Sequence, residues 1–294
     1  MNLKRISAVA TSFFLVGFVV FTIGFVPSIE RVIAEEIVLG AHRGNSVDYI
    51  ENTLPAFQSA LDEDKYSFIE FDVQYTKDNV LIVHHDKNLI RLQQKAYWIE
   101  DLTYEELLNI SDYHIPTYEE VMDLINSKKP VNIEIKSQGN LSDDKEIADF
   151  IVSNCIERGI LASTLISSIS NDVISHVKEN YPKSKTGKVY YITESTFFHF
   201  DTLTAELYKK MEETDADYLM LHGSNLRNYN SLKKLLPEDK TLVIWYFSDE
   251  MYVVQPKEEC WVFKLKALKK IGEQTAFAGD RAFSSSKNSC LWWC

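Results

Sequence analysis

Short apolar runs alternate with amphipathic stretches along most of the chain. The apolar runs Ile37–Gly40, Phe68–Tyr75 and Val131–Ile135 are typical of buried strands, whereas Thr53–Asp64 and Thr117–Asn126 have helical periodicity. Strands that alternate with helices predict a parallel sheet, and the length suits an α/β fold of the TIM-like (β/α)8 barrel type. The remaining predicted elements are the helix Thr103–Leu108 and the strands Leu81–Val83, Thr164–Ser167, Val189–Ile192, Tyr218–Leu221 and Thr241–Phe247.

One connection is too short for a parallel barrel. Only a few residues separate Tyr75 from Leu81, and a parallel crossover needs about a dozen. The sequence therefore predicts an extra β-hairpin after strand 2. This hairpin brings His85 back towards the level of Glu70 and Asp72.

The N-terminus carries an uncharged apolar run, Ile6–Ile29, preceded by Lys4 and Arg5. At about 1.5 Å per residue, this run is long enough to cross a ~30 Å hydrocarbon core. The positive-inside rule places residues 1–5 in the cytoplasm and the rest of the chain outside. We therefore expect a transmembrane helix at 6–29 and a membrane localisation. The alternative is secretion after signal cleavage, for which Val32-Ile33-Ala34 offers a small-residue site.

Charge narrows the range of partners. The chain has 31 Lys and Arg against 43 Asp and Glu, for a net charge of −12. A general nucleic-acid binder needs a basic face, so we expect no nucleic-acid partner. Four cysteines are too few for a disulfide scaffold, and their spacing does not match a zinc site. The sequence does not define the oligomeric state.

Three acidic residues lie on strands that otherwise look buried. Glu70 and Asp72 are two residues apart, so both side chains point to one face, and Glu134 lies near the end of a later strand. Buried carboxylates are costly unless a cation pairs with them, and hard oxygen ligands suit Mg²⁺ or Ca²⁺. The alternatives are a solvated face for the first two acids and a simple charge pair between Glu134 and Lys136.

Two short motifs add groups for acid–base chemistry and anion binding. His42 and Arg43 follow the first strand directly, and His84 and His85 end the hairpin, where at most one of the pair faces the site. An imidazole titrates near neutral pH, and an arginine fork matches a phosphate. Together with Lys136 and the acids, this inventory fits metal-assisted phosphodiester cleavage.

The sequence resembles the glycerophosphodiester phosphodiesterase family. The matching stretches are AHRGNSVDYIENTLPAFQSAL, FIEFDVQYTKDNVLIVHHDKNLIR, IPTYEEVMDLI and NIEIK. The combined order His-Arg, Glu-x-Asp, His-Asp and Glu-x-Lys is far more specific than any one motif. Strong similarity covers about Leu39 to Lys136, and weaker similarity extends to about Asp249.

The resemblance implies hydrolysis of glycerophosphodiesters to glycerol 3-phosphate and an alcohol with one divalent cation, Mg²⁺ or Ca²⁺, with Mn²⁺ as a further alternative. The expected substrate is a small glycerophosphodiester or a lysophospholipid-like molecule. By position, the matching residues are Glu70, Asp72 and Glu134 as metal ligands, His42 and His85 as the acid–base pair, Arg43 and Lys136 as phosphate contacts, and Glu51 and Trp245 in supporting positions.

The C-terminal part departs from the family pattern. Seven barrel strands begin between Ile37 and Thr241, and Trp261–Leu265 is the candidate for the eighth. We expect one barrel over residues 36–294 that diverges from about residue 250. A lysophospholipid or a polyglycerol-phosphate polymer is an alternative substrate, and a catalytically silent phosphodiester-binding surface protein is an alternative function.

Overall fold

A computed structural model describes residues 37–190, 209–210, 212–222, 236–245 and 250–254. Within these residues, nine strands form a single sheet. The strands are β1 (Ile37–His42), β2 (Phe68–Tyr75), β3 (Leu81–Val83), β4 (Val131–Ile135), β5 (Thr164–Ser168), β6 (Lys185–Val189), β7 (Tyr218–His222), β8 (Thr241–Trp245) and β9 (Glu250–Val254).

The sheet closes on itself as a barrel. Strands β1, β2 and β4 to β8 are linked by parallel pairings, and β1 pairs with β2. The gap between β8 and β1 is filled by β9, which runs antiparallel to both. The TIM-like architecture is thus confirmed, with seven parallel strands and an antiparallel eighth.

The closing strand lies earlier in the chain than we expected. Strand β9 is Glu250–Val254, whereas the candidate Trp261–Leu265 lies outside the described residues. The link from Trp245 to Glu250 is too short for a parallel crossover, so the chain returns as a hairpin. The same length rule correctly predicted the hairpin of β2 and β3, which pair antiparallel through Val73 and Val83.

Strand β6 begins four residues earlier than the sequence predicted. The apolar run Val189–Ile192 predicted the strand, but the paired residues are Lys185–Val189, and residues 191–192 lie outside the described ranges. Gly187 lies opposite Ser167 of β5, and a β-carbon at Gly187 would come within 2.8 Å of the Met220 sulfur. A tight fit across three strands sets this register, and hydrophobicity along the chain does not report it.

The described helices cover the outside of the barrel. Local signals explain the starts of two of them, because Thr103 and Thr117 each form a capping box with the glutamate three residues later. The three predicted helices are confirmed, with ends shifted by a few residues at most. The α-helices are α1 (Leu54–Asp62), α2 (Ile90–Gln93), α3 (Tyr104–Ile110), α4 (Tyr118–Ile125), α5 (Leu141–Glu157) and α6 (Asn171–Asn180).

Alternate residues of β2 face two different environments. Ile69, Phe71 and Val73 are fully buried in the layer that includes the helical residues Phe57 and Tyr118. Residues of the other parity point into the barrel, where Phe68 belongs to a small apolar cluster with Val189, Met220 and Val243. Glu70 and Asp72 therefore lie above an apolar floor, towards the carboxyl ends of the strands, where TIM-barrel active sites are found.

Within the described ranges, no helix is both long enough and apolar enough to cross a membrane. The run Ile6–Ile29 lies outside these ranges, so the anchor stays a prediction.

The close approach of β1 to the Phe68 ring leads to a testable prediction. A β-carbon at Gly40 would lie 2.1 Å from the Phe68 ring, so we expect Gly40→Ala to destabilise the protein by about 1–3 kcal/mol through overpacking. In the double variant Gly40→Ala/Phe68→Leu, most of this loss should be recovered. Urea unfolding of both single variants and the double variant measures the coupling. Additive effects would contradict the contact.

Candidate active site

Three carboxylates converge inside the barrel. Glu70 and Asp72 are fully buried on β2, and Glu134 on β4 is 7% exposed. Asp72 lies directly opposite Glu134 in the strand register. One carboxylate oxygen from each residue lies within 4.8 Å of the others. The structure therefore brings together the three acids that the sequence identified.

The first strand places a histidine beside this cluster. His42 is the strand partner of Glu70, and its Nε2 lies 3.8 Å from Glu70 Oε2. Burial, followed by the charge of Arg43, lowers the pKa of His42 well below its usual range. The imidazole is therefore neutral at pH 7 and has a nitrogen lone pair with which to accept a proton.

The backbone turns sharply immediately after His42. Arg43 has a left-handed φ of 62° and Gly44 a φ of 80°. A β-carbon at Gly44 would lie 2.8 Å from the Ala56 backbone, so only glycine fits. The turn directs the Arg43 N–H to Glu70 Oε2 at 2.8 Å. Left-handed geometry in an arginine costs free energy, and this hydrogen bond to a buried carboxylate offsets the cost.

Asn52, Lys136 and Arg43 hold Asp72. Asn52 donates from Nδ2 to Asp72 Oδ2 at 2.8 Å, and the Lys136 ammonium lies 2.8 Å from Asp72 Oδ1. Burial alone would raise the pKa of Asp72, but the charges of Lys136, His85 and Arg43 hold it well below its usual range. Asp72 is therefore ionised at neutral pH.

Lys136 also donates to Glu134 Oε1 at 2.6 Å. The charge pair of Glu134 and Lys136 that we considered as an alternative is thus present, but within the cluster. Burial would lower the pKa of Lys136, but the carboxylates of Asp72 and Glu134 raise it above its usual range. Lys136 is a fixed positive charge beside the three acids.

Glu70 is less well satisfied. Its Oε1 is buried and finds no hydrogen-bond donor among the described residues. Burial, with repulsion from Asp72 and Glu134, raises the pKa of Glu70 well above its usual range. An unpartnered buried carboxylate oxygen next to two other acids fits a hard divalent cation, and Glu70, Asp72 and Glu134 would be its ligands.

A cavity of about 860 Å³ opens beside this cluster. Its polar lining includes His42, Arg43, His85, Glu134 and Lys136, and its apolar lining includes Ile90, Ile169, Val189, Met220 and Trp245. Trp245 lies with its ring centroid 6.4 Å from that of His42. It also packs edge-on against His222 at 4.8 Å.

The second histidine enters from the β2–β3 hairpin. His85 lines the cavity, whereas His84 is buried and does not line it, so one histidine of the pair faces the site, as expected. The His85 Nδ1 lies 2.6 Å from Asp86 Oδ1. This contact assigns the Nδ1 proton and leaves Nε2 for proton exchange.

Residues 42–236, more than half of the chain, match the sequence model of the glycerophosphoryl diester phosphodiesterase family. The chain belongs to this family. The matched segment contains all three acids, both histidines and Lys136. The family assignment therefore rests on the same residues that form the cavity.

Individual relatives agree with the family assignment. The chain is 35% identical over 161 residues to a glycerophosphodiester phosphodiesterase of Caldanaerobacter subterraneus, covering 51% of this chain and 65% of the relative. It is 36% identical over 88 residues to mouse Lysophospholipase D GDPD3, covering 30% of this chain and 24% of the relative. The matches thus span less than two thirds of these relatives.

Solved structures share the fold. The glycerophosphodiester phosphodiesterase of Thermotoga maritima matches with a TM-score of 0.53 at 25% identity, covering 72% of this chain and 87% of that one.

Several residues of this family member's site were given no role in the sequence analysis. Asn52, Asp86 and Arg91 all contact residues that we had identified, whereas Glu51 was identified but does not line the cavity. Asn52 follows Glu51 in the matched stretch, and Asp86 belongs to the His-Asp motif, so both residues had a signal in the sequence. Arg91 is the last residue of the matched stretch that contains both histidines of the hairpin, and this position was its only signal.

The incomplete hydrogen bonding of the buried Glu70 carboxylate leads to a prediction. In Glu70→Gln, the amide oxygen keeps the Arg43 N–H and the amide nitrogen faces Asp72 and Glu134. Without added metal, we expect this variant to melt about 2–4 °C higher than the wild type at pH 7, which corresponds to about 1 kcal/mol. Because the raised pKa destabilises the folded state only above the unfolded value, the difference should shrink as the pH falls towards about 4.3.

The same variant should lose any rise in melting temperature caused by Mg²⁺ or Ca²⁺. Glu157→Gln, at an exposed position on α5, is the matched control and should leave both quantities unchanged. A metal-induced shift that persists in Glu70→Gln would refute the ligand assignment.

Proposed function

We propose that this protein hydrolyses glycerophosphodiesters to glycerol 3-phosphate and an alcohol, with a divalent cation. One observation carries the proposal: two imidazoles and the cationic side chains of Arg43 and Lys136 line one cavity, beside a cluster of three carboxylates. Few reactions need all of these groups, and cleavage of a phosphodiester is one that does. Family membership and the named relatives support the same activity.

In this proposal the two histidines move protons. One imidazole takes a proton from the group that attacks phosphorus, and the other gives a proton to the oxygen of the leaving alcohol. His42 is buried and next to the acids, whereas His85 is held by Asp86. Both imidazoles therefore lie in one cavity, as the proton acceptor and the proton donor of this reaction must.

The cationic side chains bind and orient the phosphate. Lys136 lines the cavity and contacts Asp72 and Glu134, and Arg43 lines the cavity while it pairs with Glu51. A bound divalent cation, Mg²⁺ or Ca²⁺ with Mn²⁺ as an alternative, would neutralise charge on the phosphate oxygens. The oxygen-only ligand set of Glu70, Asp72 and Glu134 supports these hard ions.

The test is hydrolysis of glycerophosphocholine and glycerophosphoethanolamine with each of the three metals and with a chelator. We expect activity that the chelator abolishes. His42→Ala and His85→Ala should each lower kcat about 10²- to 10⁴-fold, the usual contribution of a general acid or base. His176→Ala is the control, since His176 pairs with Asp149 on the helical layer and does not line the cavity.

A folded protein that binds these phosphodiesters by calorimetry but turns over none of them would overturn the proposal. That result would favour the silent binding protein. A preference for polyglycerol-phosphate polymers would keep the chemistry and change the substrate.

An apolar rim beside the cavity favours lysophospholipids as a second candidate substrate. In the segment after β3, Ile90, Tyr97 and Trp98 are 46–51% exposed. Soluble proteins seldom expose several large apolar side chains together, and such patches mark contact sites.

Backbone contacts connect this rim to the cavity. Asn88 lines the cavity and forms a β-bridge with Trp98, and the Leu89 N–H donates to the Tyr97 carbonyl at 3.1 Å. Ile90 lines the cavity itself. An acyl chain attached to a phosphodiester in the site would have an apolar surface to follow.

An anchor at residues 6–29, which we also propose, would hold the barrel outside the cytoplasmic membrane.

Kinetics with two substrates test the rim. We expect Tyr97→Ser/Trp98→Ser to raise KM for lysophosphatidylcholine about tenfold, equivalent to roughly 1.4 kcal/mol of lost apolar contact. The KM for glycerophosphocholine, which has no acyl chain, should not change. Ile156→Ser, at a 52% exposed position on α5, is the control. Equal effects on both substrates would exclude an acyl-binding role.

A further inference from the structure

Both carboxylate oxygens of Asp86 have charged or polar partners. The Oδ1 atom lies 2.6 Å from Nδ1 of His85, and Oδ2 accepts from Nε of Arg91 at 2.6 Å. Burial would raise the pKa of Asp86, but the hydrogen bonds of His85 and Arg91 hold it well below its usual range. Asp86 is therefore an ionised group held between an imidazole and a guanidinium.

Arg91 continues the chain of contacts from Asp86 to Glu51. Its Nη1 and Nη2 donate to the two carboxylate oxygens of Glu51 at 2.8 and 2.5 Å. Glu51 Oε1 also accepts from Arg43 Nη1 at 2.9 Å. Charge-assisted hydrogen bonds thus run from His85 to Arg43 and link the loop after β1 to the segment after β3. Bidentate pairing makes the geometry specific as well as strong.

The main chain around His85 is fixed from the barrel side. Gln74 on β2 is buried, and its Nε2 donates to the carbonyls of His84 and Asp86 at 2.8 and 2.9 Å. With the backbone held on both sides of His85, the remaining freedom is in the imidazole torsion and tautomer. Those are what the Asp86 carboxylate controls.

We propose that Arg91 is a positioning residue that acts through Asp86 to hold His85 in its Nδ1–H tautomer, with Nε2 available for proton exchange. The proposal rests on the proposed function for its kinetic consequence. Arg91 has an exposed fraction of 45% and lines the cavity. The alternative role for it is therefore direct contact with the substrate.

Removing the guanidinium separates the two roles. Without Arg91, Asp86 loses one of its two partners and can rotate away from the imidazole. We expect Arg91→Gln to lower kcat for glycerophosphocholine about tenfold, as is usual when the partner of an orienting group is lost. KM should stay within about twofold. Arg91→Lys keeps a donor for Asp86, so it should recover part of kcat.

A spectroscopic readout tests the proposal independently of turnover. The ¹⁵N shifts of the His85 imidazole, assigned with His85→Gln, distinguish the Nδ1–H from the Nε2–H tautomer of the neutral ring. We expect the Nδ1–H form in the wild type and a mixture in Arg91→Gln. Arg158→Gln is the matched control, since Arg158 also bridges two carboxylates, Glu119 and Asp123, on the helical layer.

The outcomes are distinct. Unchanged His85 shifts in Arg91→Gln overturn the proposal, whether or not the protein turns over any substrate. A raised KM with unchanged kcat also overturns it and assigns Arg91 to substrate binding. If the wild type is inactive but the tautomer shifts in Arg91→Gln and not in Arg158→Gln, the proposed function fails and the positioning role stands.

Discussion

The burial of three carboxylates inside one barrel is the constraint on which the rest of the site depends. Glu70, Asp72 and Glu134 lie close enough for strong mutual repulsion in a medium that screens charge poorly. Lys136 and the Arg43 N–H offset part of this repulsion. Glu70 still keeps an unpartnered oxygen among the described residues. Burying such a cluster destabilises the folded protein, but the cluster offers oxygen ligands to a cation.

The local backbone follows from the same constraint. A straight exit from β1 would not direct the Arg43 N–H at Glu70, so Arg43 adopts left-handed geometry and Gly44 continues the turn. Asn52 is also left-handed, and its amide reaches Asp72. The loop after β1 is therefore shaped by the charges that it has to satisfy. Through Glu51 and Arg91 it also meets the segment that orients His85.

Most of the fold was predictable from local patterns. Strands β2, β3 and β4 were predicted with correct bounds, because apolar alternation and turn length specify them. The two failures share a cause. The register of β6 depends on packing at Gly187, and the closing strand β9 depends on which segment reaches the edge left between β8 and β1. Both depend on contacts between residues distant in sequence.

By itself, the sequence determined which residue types were available and which faces they shared: acids two apart on β2, a histidine and an arginine at the end of β1, and a second histidine after a hairpin. The tertiary structure alone decided which charges meet. It aligned Asp72 with Glu134 across the β2–β4 pairing, put Lys136 between them, and joined Arg91 to Glu51 across 40 residues of chain. Charges interact through space, and only the folded barrel sets those distances.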